Sequence, residues 1–361
     1  MKIAQISPLI ESVPPKAYGG TERVVSYLTE ELVRLGHEVT LFASADSKTS
    51  ANLVPCTPIA LRFDERNLEP VAIQMAMLEE VFHRAPRFDV LHFHIDYLHL
   101  PLAVRQKVPH VATMHGRMDL PYLPIVFGKF PDAPLVSISD DQRRPLPNLN
   151  WKATIYHGLP KDLYRFQPNT GKYLAFLGRI SPEKRVDRAI GIAKRTGIPL
   201  KIAAKVDRKD EQYFKEQIRP LLNDPLVEFV GEIGESEKED FLGNALGLLF
   251  PIDWPEPFGL VMIEAFACGT PVIAYRRGSV PEVMEDGRTG FIVDPPTDDE
   301  ERGLAEAAAA VRRLESLDRA DVRRVFERRF TAERMARNYV ALYRSLAERR
   351  DEVIDMRRKT A

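Results

Sequence analysis

Short strand-like runs and longer helix-like runs alternate along this chain, and the alternation begins twice. A strand pattern at 2–7 leads through a loop rich in proline and glycine to a helical pattern at 21–35, and a second strand pattern follows at 38–43. The same order restarts with a strand pattern at 173–177, after a polar linker at 162–172. Strands that alternate with helices predict parallel sheets covered by helices. The sequence therefore predicts two Rossmann-like α/β domains.

Length, charge and cysteine content narrow the class of protein further. The chain has 361 residues, more than one ordinary domain, and its formal net charge of −1 gives no general attraction to nucleic acid. The two cysteines, Cys56 and Cys268, are too few for a disulfide framework or a metal quartet, which is typical of a reducing compartment. No signal-peptide pattern and no apolar run of about 18 residues is present. We expect a cytoplasmic protein with at most weak peripheral membrane contact.

The segment P-E-P-F-G-L-V-M-I-E-A-F-A-C-G at 255–269 carries the strongest chemical signal. Its carboxylates Glu256 and Glu264 lie eight positions apart. The prolines on either side of Glu256 exclude a helix there, whereas Glu264 falls about one turn into the helix that follows. The first backbone N–H groups of that helix suit a phosphate, and they belong to Phe258, Gly259, Leu260 and Val261. A carboxylate on each side of such an anion site suits the hydroxyls of a sugar or a ribose.

Two further groups of residues lie where predicted strands end. Gly19 and Gly20 join the first strand to its helix, where a backbone without side chains can approach a phosphate, and Thr21 is the expected N-cap. Arg179 and Lys184 lie five positions apart in G-R-I-S-P-E-K, at the mouth of the second predicted sheet. Two cations there fit a diphosphate.

Histidines mark two strand ends in the first half of the chain. His92 and His94 share one face of a predicted strand, so they form a possible metal pair, but packing is the favoured interpretation because no third ligand is evident. His115 ends the next strand and is followed by Gly116, which places its side chain well for a cleft. Arg117 and Asp119 follow on the same loop.

Together these motifs resemble the retaining glycosyltransferases of family four, the glycosyl transferases group 1, in which Glu-x7-Glu is a signature. The resemblance implies the GT-B fold, with two facing Rossmann-like domains, a deep cleft between them and C-terminal helices that cross back. It implies an acceptor-side domain at 1–165 and a nucleotide-sugar domain at 166–335. Residues 336–361 would form the returning helix and a frayed tail.

The resemblance also implies a role for each matching residue. Arg179 and Lys184 would bind the donor diphosphate, which the Gly19–Gly20 loop also approaches, and Glu264 would bind the ribose. Glu256 and His115 would bind hydroxyls of the transferred sugar. Less specific matches are Ile233 against the nucleotide base and Arg117 and Asp119 at the acceptor. The chain departs from the family pattern at two positions, with His157 in place of an asparagine and Arg185 in place of a glycine.

The implied activity is a retaining transfer of a hexosyl group from a nucleoside-diphosphate sugar to a hydroxyl of a sugar, glycoside or lipid-linked glycan. The family has no carboxylate placed as a nucleophile, so the acceptor would attack on the face from which the phosphate leaves. No motif indicates an obligatory metal or other cofactor. Two alternatives stay open at this point: a phosphorylase of the same fold that uses inorganic phosphate, and a protein that binds nucleotide sugars without catalysis. A nucleotide-sugar epimerase is disfavoured because its acid–base groups are not evident.

Overall fold

The computed structural model describes residues 1–16, 19–296 and 299–359, with side chains as far as Glu348. The chain divides into two compact units, Met1–Gly158 with Ala332–Ala361, and Leu159–Thr331. These boundaries lie seven and four residues before the predicted ones, which follow residues 165 and 335. Leu159 N–H donates to Phe330 O at 2.9 Å, and Leu159 also forms a β-bridge to Thr331. Residues 159–165 therefore belong to the second unit, and residues 332–335 belong to the first.

The first unit contains a parallel sheet with the strand order β3-β2-β1-β4-β5-β6-β7 within its described part. The strands are β1 Lys2–Ile6, β2 Glu38–Ser44, β3 Asn52–Thr57, β4 Val90–Phe93, β5 His110–Thr113, β6 Leu135–Ser137 and β7 Trp151–Thr154. The helices before the second unit are α1 Gly20–Arg34, α2 Pro70–Arg84, α3 Leu100–Ala103 and α4 Leu123–Phe127. The order 3-2-1-4 places a topological switch point beside β1 and β4, where ligands of such sheets bind.

Two local predictions for this unit are wrong. Residues 45–70 were expected to be a surface loop, yet they include β3, which pairs in parallel with β2 at the edge of the sheet. Pro55 weakens the strand signal, and an edge strand tolerates it because one side of its backbone is unpaired. The N-cap of α1 is Gly19, and Thr21 already lies inside the helix.

The second unit repeats the strand order of the first. Within the described residues its parallel sheet has the order β10-β9-β8-β11-β12-β13. The strands are β8 Leu174–Ile180, β9 Leu200–Val206, β10 Val227–Gly231, β11 Gly247–Phe250, β12 Val272–Tyr275 and β13 Gly290–Val293. The helices are α5 Val186–Thr196, α6 Glu211–Tyr213, α7 Glu235–Gly243, α8 Leu260–Cys268, α9 Val280–Val283, α10 Glu300–Val311 and α11 Arg319–Arg329. The switch point here lies beside β8 and β11.

The last helix, α12 Ala332–Lys359, follows the second unit in sequence but packs in the first. Its apolar face is buried at the predicted positions Met335, Tyr339, Leu342 and Tyr343. The expected return of the C-terminal helix is therefore confirmed. The predicted frayed tail at 347–361 is helical as far as Lys359, because Glu and Arg are good helix formers, and its last two residues lie outside the described part.

Candidate active site

The strongest sequence motif folds as a loop followed by a helix. Glu256 lies in the loop after β11, and Glu264 is the fifth residue of α8. Gly259 caps α8 with φ 79°, and a Cβ there would come within 2.7 Å of the Met262 side chain. This position therefore requires glycine, and the turn that it forms brings the first N–H groups of α8, including those of Leu260 and Val261, to the start of the helix.

The loop around Glu256 packs directly on the backbone of residues 278–279. A Cβ on Gly278 would lie 2.4 Å from the Glu256 backbone, so only glycine permits this approach. Ser279 N–H donates to Glu256 O at 3.0 Å, and the buried Ser279 Oγ donates to Phe258 O at 2.8 Å. Gly278 and Ser279 thus hold the motif in place. No local sequence pattern predicts this role, because only the fold brings these two residues to the motif.

Lys184 and Glu256, predicted separately, meet in the structure. They follow β8 and β11, which are neighbours in the sheet, and the Lys184 ammonium forms an ion pair with the Glu256 carboxylate. The Lys184 Nζ also lies 4.7 Å from the centroid of the Trp254 ring. Both charged side chains are mostly buried, at 18% and 12% exposure. A buried pair of opposite charges therefore lies at the switch point of the second sheet.

Arg179 lies near the end of β8 and is surrounded by carboxylates. Its guanidinium is 2.7 Å from Glu183, 3.5 Å from Asp207 and 3.9 Å from Asp210. Lys205 of β9 pairs with Asp207 at 3.2 Å. An anionic ligand at Arg179 would therefore compete with, or add to, an existing set of ion pairs.

Glu264 has a cationic partner that the sequence analysis missed. Lys238 of α7 lies 2.7 Å from the Glu264 carboxylate, which is 5% exposed, and 3.5 Å from Glu235. The acidic sequence of α7 gave no apolar periodicity, so the helix itself was not predicted. The ion pair joins α7 to α8 and offsets the cost of burying the Glu264 charge.

Arg185 occupies the position where the family pattern has glycine, and it keeps a glycine-like conformation. Its φ and ψ are both 51°, in the left-handed region. Its guanidinium lies 2.8 Å from Asp187, 3.2 Å from Asp253 and 2.9 Å from Glu300. Burial lowers the pKa of Arg185, but the hydrogen bond to Asp187 and the charges of the three carboxylates outweigh it, so the pKa is raised. The turn therefore has a left-handed residue at this position, and the added charge is paired within the protein.

Gly19 and Gly20 form the junction between loop and helix that was predicted for the first sheet. Gly19 is the N-cap of α1, and a Cβ there would lie 2.8 Å from the Pro15 side chain. Gly20 is the first residue of the helix. In the second unit, Ile233 lies half-buried on the loop between β10 and α7.

His115 is half-buried and lies in a cluster of aromatic and polar side chains at the carboxyl ends of β4 and β5, in which His94 and His157 are buried. Its Nε2 is 2.9 Å from His94 Nδ1, and its ring stacks on His157 with centroids 5.3 Å apart. Burial lowers the pKa of His115 to about 3 and those of His94 and His157 well below the usual value. These imidazoles are therefore neutral near pH 7. His157 thus serves as a packing partner of His115, a role that its sequence did not indicate.

The remaining candidates of the first unit have protein partners in the structure. His92 and His94 do share one face, and each hydrogen-bonds through both ring nitrogens to the protein. Arg117 forms two hydrogen bonds of 2.7 Å with Asp119 on the exposed loop after His115. Within the described residues, no group of three or more His, Cys, Asp or Glu side chains is placed to hold a metal ion. The described helices include none that is long and apolar enough to cross a membrane.

Comparison with known proteins places this geometry in a family. Residues 164–324 match the family described as glycosyl transferases group 1, and residues 18–180 match glycosyltransferase family 4. D-inositol 3-phosphate glycosyltransferase of Mycolicibacterium smegmatis is 26% identical over 338 residues, with 76% of this chain and 75% of the relative covered. The chain is a member of the group 1 glycosyltransferases with the two-domain GT-B fold.

Solved structures agree with this assignment. AviGT4, a glycosyltransferase involved in avilamycin A biosynthesis, is 25% identical with a TM-score of 0.74, covering 96% of this chain and 98% of AviGT4. HepE of Anabaena, solved with UDP and glucose, has a TM-score of 0.74 at 17% identity, covering 96% of this chain and all of HepE. At that identity the second likeness supports the fold.

Proposed function

We propose that this glycosyltransferase transfers a hexosyl group from a nucleoside-diphosphate sugar to a hydroxyl acceptor with retention of anomeric configuration. The observation that carries the proposal is the meeting of Lys184 and Glu256 beside the N-terminus of α8. The cation and the helix N-terminus at this sheet edge match the diphosphate of such a donor, and the carboxylate matches its sugar hydroxyls.

The diphosphate is proposed to bind Lys184, Arg179 and the first N–H groups of α8. An ammonium carries three N–H donors, so Lys184 can keep Glu256 and bind a phosphate oxygen at the same time. Arg179 carries five donors and is 19% exposed. When the bond between the anomeric carbon and the phosphate breaks, negative charge grows on the leaving oxygen. Fixed cations stabilise that charge by a few kcal/mol each.

The carboxylates are proposed to hold hydroxyls. Glu256 accepts hydrogen bonds from the transferred sugar while Lys184 keeps it ionised and oriented. Glu264 accepts hydrogen bonds from the ribose, and Lys238 balances its charge in the same way. HepE, which shares the fold, has been solved with UDP-glucose as well as with UDP, which supports a nucleotide-sugar donor for this chain.

The proposal of retention rests on which chemical groups the site can offer to the anomeric carbon. A double displacement needs a carboxylate nucleophile close to the anomeric carbon. Glu256 is already bound to Lys184, so we assign it to hydroxyl binding and propose attack on the face from which the diphosphate leaves. The leaving phosphate would take the proton of the acceptor hydroxyl. No protein base is needed in this scheme.

A panel of nucleotide sugars tests the proposal. The donor should raise the melting temperature and release nucleoside diphosphate slowly without acceptor and faster with one. NMR of the glycoside should give the same anomeric configuration as the donor. An inverted product would refute retention, and sugar release that depends on inorganic phosphate but not on a nucleotide would refute the transferase assignment in favour of a phosphorylase. Binding without any turnover would favour a nucleotide-sugar-binding protein.

A further inference from the structure

A line of hydrogen bonds runs from the interior of the first unit to His115. Gln5, fully buried in β1, places its Oε1 2.8 Å from His94 Nε2. His94 Nδ1 lies 2.9 Å from His115 Nε2. The three residues follow or belong to β1, β4 and β5, which are adjacent strands at the switch point of this sheet.

The orientation of the Gln5 amide sets the direction of these bonds. Its Nε2 donates to the hydroxyl oxygen of Tyr343, on α12, at 3.1 Å, and its Oε1 faces His94. An amide oxygen can only accept. His94 must carry its hydrogen on Nε2.

The direction continues through His94 to His115. A neutral imidazole has one N–H and one acceptor nitrogen, so His94 Nδ1 is the acceptor. His115 Nε2 must then donate to it, which leaves His115 Nδ1 without a hydrogen. That nitrogen is buried and has no hydrogen-bond partner within the described structure. A buried acceptor without a partner costs about 1–3 kcal/mol unless a ligand supplies the donor.

We propose that Gln5 is a positioning residue that fixes His115, through His94, as the Nε2–H tautomer, so that Nδ1 is kept as a hydrogen-bond acceptor for a substrate hydroxyl. The second part rests on the proposed function and on the role that the family resemblance implies for His115, which is to bind a hydroxyl of the transferred sugar. The tautomer itself does not. In this arrangement the sugar hydroxyl donates its hydrogen to His115 Nδ1. The oxygen of that hydroxyl can then only accept hydrogen bonds from other groups.

The tautomer can be measured in the intact protein. In protein labelled with ¹⁵N-histidine, long-range ¹H–¹⁵N correlations distinguish a protonated ring nitrogen from an unprotonated one, and loss of one spin system in His115→Asn assigns the signals. We expect wild-type His115 to be the Nε2–H form. Gln5→Met removes the amide oxygen at similar size, so both tautomers of His115 should become populated. The kcat should fall about 10-fold, as when an orienting hydrogen bond is lost, with little change in KM.

Thr113→Val is the matched control. Thr113 is buried in the same cluster and bonds to His92 and Tyr339. This branch reaches Gln5 through the Tyr343 hydroxyl, at the amide nitrogen and not at the oxygen that bonds to His94. This variant should keep the wild-type tautomer. An Nδ1–H form of wild-type His115 would overturn the proposal even if Gln5→Met did not fold, and so would an unchanged tautomer in a folded Gln5→Met. A confirmed tautomer in a protein that transfers no sugar would instead refute the proposed function.

Discussion

The Lys184 ammonium pairs with the Glu256 carboxylate across 72 positions of sequence, at the point where β8 and β11 deliver their loops to one edge of a parallel sheet. Each residue belongs to a different motif, and neither motif predicts the contact. The pair gives the proposed donor site a definite chemistry, because a single cation can hold the sugar-binding carboxylate and a phosphate oxygen together.

Glu264→Gln should weaken binding of the donor's nucleoside diphosphate by about 10-fold, or 1.4 kcal/mol, because a carboxylate that accepts ribose hydroxyls becomes a weaker and partly donating amide. Isothermal calorimetry measures this directly. Glu239→Gln is a suitable control, since Glu239 pairs with Arg165 on the surface. Equal affinity in wild type and Glu264→Gln would contradict the ribose assignment.

Lys238 and Glu264 form a pair that a double-mutant cycle can isolate. Lys238→Met leaves the mostly buried Glu264 carboxylate without its closest cation, and we expect a loss of about 2–3 kcal/mol in the free energy of unfolding. The double variant with Glu264→Gln should recover much of that loss, because no uncompensated charge remains. Urea unfolding gives all four values. Strictly additive losses would mean that the two side chains are not coupled.

Arg185 offers a test of backbone strain that is separate from charge. Arg185→Gly and Arg185→Ala both remove the guanidinium and its ion pairs, but only glycine adopts the left-handed conformation without strain. The glycine variant should therefore be about 1 kcal/mol more stable than the alanine variant in urea unfolding. If alanine is equally stable, the turn does not need the left-handed residue.

The buried histidines make stability depend on pH. Burial lowers the pKa of His115 from its usual 6.5 to about 3, so below pH 6.5 the unfolded chain binds a proton that the folded protein does not. The contribution of each such histidine to the free energy of unfolding is thus fully present above pH 6.5. It is lost as the pH falls, at up to about 1.4 kcal/mol per pH unit for each histidine. Urea unfolding at pH 7, 6 and 5 should show this slope, and His115→Asn should reduce it. A free energy of unfolding that does not change between pH 7 and 5 would contradict the burial of neutral imidazoles.

Much of the fold followed from local patterns, because buried parallel strands and glycine-ended helices leave clear signals. Edge strand β3 escaped prediction because Pro55 interrupts it, and α7 because its acidic sequence lacks apolar periodicity. The partners Lys238, Gln5 and Ser279 could not be predicted either. Gln5 and Ser279 reach their sites through the order of the strands and Lys238 through the packing of α7 on α8. No local spacing records which elements become neighbours.

The most direct test of the central claim is the rate at which nucleoside diphosphate is released from the best nucleotide sugar of the panel, in wild type and in Lys184→Met. Lys194→Met is the control, since Lys194 pairs with Asp224 at 3.1 Å on the exposed side of α5. The account predicts release by wild type and by Lys194→Met, with a rate about 100-fold lower for Lys184→Met, as when one fixed donor to the leaving group is removed. Release by Lys184→Met at the wild-type rate would contradict it.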